Sequence, residues 1–135
     1  LTKREEILGR AVVLDGRMVQ LRNDLGLTKS AMAELLHTTP KNYAAWEDNP
    51  QVRLWSVTAE RIGAFYTLAV AELEYITDEL EMDPHELMPL YVASTALGIP
   101  QELMLKRYRD GQFEADDLGV LGLWIHTSVL DQLRR

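Results

Sequence analysis

Cysteine is missing from this 135-residue chain altogether, which excludes disulfides and any metal site built on thiolates. With disulfides excluded, an intracellular, cytoplasmic location is the expectation. Long apolar runs are missing too: nothing approaches the roughly 20 residues that span a bilayer. No charged-then-apolar leader opens the sequence, so no membrane partner is expected. The first residue is Leu1 and not Met, from which a missing or altered native start is expected. Histidine is sparse: His37, His85 and His126 stand far apart, none with a metal-ligand neighbour at helical spacing. A phosphate-cradling glycine loop and a G-x-S-x-G elbow are also lacking. The expectation is a protein that is not an enzyme and uses neither metal nor cofactor.

Positive charge is the last deficit, with 14 Lys and Arg against 21 Asp and Glu, a net of −7. Residues 1–55 hold eight basic and seven acidic side chains, residues 56–89 one and eight, and residues 90–135 five and six. The excess acid therefore sits in the middle third. Salt screens it beyond about 10 Å, so it is a weak veto on an anionic partner for the two ends.

What is present is helical periodicity. Ile7, Leu8, Ala11, Leu14, Met18, Leu21 and Leu25 recur at threes and fours. They predict one helix that Thr2 and Glu5 open in capping-box spacing, that Gly16 weakens without ending, and that Gly26 stops. Thr28 caps a second, short helix with Met32, Ala33, Leu35 and Leu36 on its apolar side. After a tight turn at His37-Thr38, Thr39 caps a third helix with Pro40 in its first position, and Asp48-Asn49-Pro50 ends it. An extended connector leads to a long helix over about 57–81, marked by Ile62, Phe65, Tyr66, Ala69, Leu73, Ile76 and Leu80. Its other face carries Glu60, Glu72, Glu74, Asp78, Glu79 and Glu81.

Asp83 and Pro84 punctuate, and Pro89 restarts the chain. Residues 90–111 read as helix, Leu97-Gly98-Ile99 turn, helix and Gly111 stop. The remainder reads as a final helix through Leu118, Leu121, Leu123, Trp124, Ile125, Val129, Leu130 and Leu133. No strand is expected. The predicted fold class is all-α: an N-terminal helix-turn-helix domain (1–55), a long acidic linking helix (56–81) and a small C-terminal helical domain (82–135) holding a second helix-turn-helix-like unit.

The stretch "GLTKSAMAELLHTTPKNYAAWEDN", residues 26–49, carries the chemistry. It resembles the helix-turn-helix of the phage-repressor class. Leu21-Arg22 and Gly26-Leu27-Thr28 match the end of that family's first helix and its entry to the second. Ala33 is the small residue where the two helices cross, Leu36 and Tyr43 fill the space between them, and Trp46-Glu47-Asp48-Asn49 matches the exit. His37 and Thr38 depart from the family's usual turn of Gly followed by Val or Ile. A recognition helix sends its N-terminal residues into the major groove. Those residues here are Thr39, Lys41 and Asn42, with Ala44 and Ala45 small enough for close approach. Asn pairs bidentately with adenine, Lys donates to guanine, and Ala methyls touch thymine methyls. Arg22 and Lys29 are placed for phosphates, and ordinary surface charge is the bland alternative for each. Tyr43 and Trp46, three apart, read as core.

The second half, "VASTALGIPQELMLKRYRDGQF", looks like the helix-turn-helix of excisionase-type proteins, with Gln101, Lys106, Arg107 and Arg109 as outward candidates. A small helical domain with a basic edge is the alternative. Taken whole, the chain resembles the immunity repressors of cluster A mycobacteriophages. The resemblance implies two DNA-binding modules in one chain, the C-terminal one a stoperator domain. It implies a sequence-specific repressor of double-stranded DNA that reads short asymmetric operator and stoperator sites and holds the phage in lysogeny. The chain is expected to be monomeric on DNA, with a dimer through the long helix still open. Two other readings stay open: an antitoxin- or anti-repressor-like interaction module, and an excisionase-like architectural factor.

Overall fold

The computed structural model describes residues 3–49 and 51–134 and is mostly helical. Thr2 and Pro50, placed above at a helix start and a helix end, lie outside the described residues. The first predicted helix is two: α1 (Lys3–Leu14) and α2 (Arg17–Leu25). Gly16 adopts φ 74°, a left-handed conformation that reverses the chain at little steric cost, so it ends the helix instead of weakening it. α3 (Lys29–Leu35) and α4 (Pro40–Asp48) follow, with the expected caps. Thr28 Oγ1 accepts from Ala31 N, and Thr39 Oγ1 accepts from Asn42 N.

α5 (Ser56–Glu74) is the longest helix, and one π turn, Tyr75–Glu79, extends it. It is not a bridge through solvent. It lies along α1, where Gly9 and Gly63 let the two backbones touch: a Cβ on Gly9 would collide with the Ala59 carbonyl, and one on Gly63 with that of Glu5. Ala59, Ile62, Phe65 and Ala69 of α5 are buried, while Glu74, Asp78, Glu79 and Glu81 stay in water. At about 28 Å for 19 residues, α5 is also shorter than the expected helix.

The C-terminal part departs from all-α. A three-stranded antiparallel sheet joins β1 (Leu87–Pro89), β2 (Asp116–Asp117) and β3 (Leu123–His126) in the order β1-β3-β2. α6 (Leu90–Leu97) and α7 (Gln101–Arg109) lie between β1 and β2, and the predicted final helix shrinks to α8 (Ser128–Leu133). The apolar run Leu123-Trp124-Ile125 is strand because both of its faces are covered. Side chains alternate along a strand, so consecutive residues face opposite ways. Trp124 joins Leu118, Leu121 and Leu87 in the main core with α1–α5, and Ile125 joins Leu90, Ala93, Met104, Phe113 and Leu130 in a second core. β3 is a wall with a core on each side. His85 ties the join from below, its ring Nε2 donating to the Asn23 carbonyl at the end of α2 at 2.9 Å.

Candidate nucleic-acid interface

α4 is held from behind and open in front. Its one fully buried side chain is Tyr43, against which Trp46 stands edge-on at 6.0 Å between ring centroids. Arg22 grips its far end: Nε and Nη2 donate to Glu47 Oε2 and Oε1 at 2.6 and 3.0 Å, and Nη1 donates to the Leu27 carbonyl at 3.1 Å. Only 6% of the Glu47 side chain and 16% of that of Arg22 are exposed. Arg22, suggested by the sequence as a phosphate contact, thus has its donors engaged on Glu47 and the Leu27 carbonyl. Burial is the largest single influence on the Glu47 carboxyl and raises its pKa. Arg22, Tyr43 and Lys29 together outweigh it and hold the pKa below the ordinary carboxylate value. The Tyr43 hydroxyl is buried without a hydrogen-bond partner among the described residues. Burial, and then the Glu47 carboxylate beside it, push its pKa far up.

The turn before α4 is left-handed at His37, φ 55°, as its position required. Arg61 of α5 reaches towards the Leu36 and His37 carbonyls, 3.5 Å from each. Sequence reasoning passed over Arg61, because its target is backbone.

Of the residues the motif placed outward, Ala44 is half-buried and the others face solvent. Thr39, Lys41, Asn42 and Ala45 are all exposed and lie on one helix. Asn42 Nδ2 sits 3.3 Å from Thr38 Oγ1, a long bond that a better acceptor can replace. Lys29 lies about 4 Å from Glu47 and Asp48 and is 45% exposed, so its charge is shared with the helix end. Three residues join this face that the motif did not name: Arg53, Trp55 and Thr58 line one cavity with Asn42 and Ala45. An exposed tryptophan in a connector was the available signal.

The second unit has a regular turn, Gly98 at φ 67°, and of the consecutive Leu103, Met104 and Leu105 it buries Met104 fully. Gln101 stands at the N-terminal end of α7. It borders a groove of about 310 Å³ whose other walls include Glu34, Leu35 and His37 of the first unit. Lys106, Arg107 and Arg109 lie in the last turn, about 12 Å further along at most. There, cations also complement the helix dipole, and Arg107 is only half exposed. The structure thus brings Gln101 to the first unit's turn, while the basic trio stays at the far end of α7.

No protein family, no curated protein and no solved structure matches the chain. The assignment of a role therefore rests on this geometry. Among the described residues no cluster of three or more His, Asp or Glu could hold a metal ion, and no helix is long and apolar enough to cross a membrane.

Proposed function

We propose that the protein is a sequence-specific double-stranded DNA-binding repressor of the phage-immunity type, with α4 as its recognition helix. The observation that carries this reading is the asymmetry of α4. Its inner side is anchored by Tyr43 and the Arg22–Glu47 pair, while Thr39, Lys41, Asn42 and Ala45 are presented to solvent at its N-terminal end. That is how a helix inserted in a major groove is built: rigid behind, small or donor-rich in front. The second unit contributes Gln101 near the first unit's turn and Lys106, Arg107 and Arg109 as phosphate candidates, which suits one chain gripping an asymmetric operator or stoperator site. The net charge of −7 does not oppose this, because Glu74, Asp78, Glu79 and Glu81 stand exposed at the far end of α5.

The test is a titration against phage regulatory DNA and random duplex at two salt concentrations. Tight binding to particular sites with a steep salt dependence is expected; equal, weak binding to every duplex would overturn the reading. A second reading has one observation behind it. Val57, Leu68 and Tyr75 recur at helical spacing on the solvent side of α5 and are 70, 54 and 44% exposed, a row that a protein partner could cover. Salt-insensitive association with a protein, without DNA binding, would favour it.

A further inference from the structure

We infer that Arg53 and Trp55, on the connector between α4 and α5, form a second DNA-contacting element that grips the backbone beside the groove α4 enters. The inference rests on the DNA-binding reading and deepens it. Trp55 is the most exposed large apolar side chain among the described residues, at 83%. A lone indole in water is unfavourable, yet its backbone is held firmly. Leu54 before it is buried, the Leu54 carbonyl accepts from Arg10 Nη1 at 2.9 Å, and Ser56 after it begins α5. The ring is thus presented to solvent from a fixed backbone position.

Its surroundings select an anion. On one side, a cavity of about 240 Å³ is lined by Asn42, Ala45 and Trp46 of α4 with Arg53, Trp55 and Thr58 among its other walls. On the other, Arg10, Arg53, Leu54, Trp55 and Ser56 enclose a second cavity. Neither lining contains a carboxylate, in a chain with 21 of them. Arg53 is exposed and makes no hydrogen bond or ion pair among the described residues. A flat aromatic face beside an uncommitted guanidinium, sharing one cavity with the recognition helix, fits the sugar–phosphate strand that borders the major groove. Arg53 takes a phosphate, and the indole packs on the adjoining sugar or base edge.

The experiment uses the full chain and a duplex that the chain itself enriches from a random 30-base-pair pool. Affinity is measured at two salt concentrations for the wild type, Trp55→Ala, Trp55→Phe and Arg53→Ala. Trp55→Ala is expected to bind at least about tenfold more weakly, and Trp55→Phe, which keeps a ring, to lose less. Arg53→Ala is expected to lower the log–log salt slope by about one. Tryptophan fluorescence should quench on DNA in the wild type and markedly less in Trp55→Phe, which keeps Trp46 and Trp124. Melting temperatures should be unchanged, since neither side chain is packed. Wild-type affinity and slope in Trp55→Ala and Arg53→Ala would overturn the inference and leave the DNA-binding reading standing. Failure of the wild type to enrich any duplex would overturn both.

Discussion

Tyr43, Asn42 and Glu47 sit within six residues of one another and answer to different physics. The Tyr43 hydroxyl is buried with no hydrogen-bond partner among the described residues, so its desolvation cost goes uncompensated. Tyr43→Phe should leave stability unchanged or raise it by up to about 1 kcal/mol in urea unfolding; a loss above that would mean the hydroxyl does bond Glu47. Asn42→Ala should cost roughly 1–3 kcal/mol on a specific duplex and far less on random DNA, if its amide reads a base. Equal losses on both would reduce it to a phosphate contact. Glu47 titrates below its ordinary value of 4.5 in the folded chain. The folded state then binds fewer protons than the unfolded one, so the pair's stabilisation is complete above about pH 4.5 and fades as pH falls through the lower, folded value. Urea midpoints followed from pH 6 to pH 3 should fall more steeply for the wild type than for Glu47→Gln. Parallel curves would remove the Arg22–Glu47 pair from the acid response.

At the scale of elements, the α1–α5 crossing is the most demanding contact, because Gly9 and Gly63 meet backbone to backbone. Either residue changed to Ala should destabilise by more than about 3 kcal/mol, since neither carbonyl can move without shifting a helix; an unchanged thermal midpoint for both variants would mean that the helices separate freely. Three-to-four spacing made α3, α4 and α5 readable, and Thr28, Thr39 and Pro40 placed their starts, because caps act locally. His37, standing where the resembled turn usually has Gly, takes the left-handed conformation that Gly favours. Three features were hidden. Gly16 could bend or break a helix, and only the docking of α1 on α5 decides which. The run Leu123-Trp124-Ile125 has no period of its own, so strand and helix could be separated only by seeing a core on each side. Arg22 looked like surface charge because Glu47, its partner, is 25 residues away. The exposed face of α4 was legible in the motif; the neighbouring Arg53–Trp55 face was not, since connectors carry no period.

For the molecule as a whole, α5 belongs to the main core with α1–α4, and so do Leu118, Leu121 and Trp124. Residues 1–55 taken alone would leave Val12, Val13 and Gly9 without their cover. That fragment should show little cooperative melting by circular dichroism, whereas the full chain should melt in a single transition. A cooperatively folded 1–55 fragment would restore α5 to the status of a connector. The long linking helix expected between two modules is replaced by packing: Glu34, Leu35 and His37 of the first unit share one groove with Leu90, Tyr91 and Gln101 of the second. β3 has a further consequence for any target the chain grips at two sub-sites. Trp124 and Ile125 lock neighbouring residues of one strand into separate cores, so the two units have no hinge between them at that point. One base pair inserted between sub-sites would displace the second by about 3.4 Å and rotate it by about 35°. A flexible tether would absorb that change, and a shared strand will not. The molecule would then act as a caliper with its jaws set, and two operators differing only by a single inserted letter would be a target and a non-target.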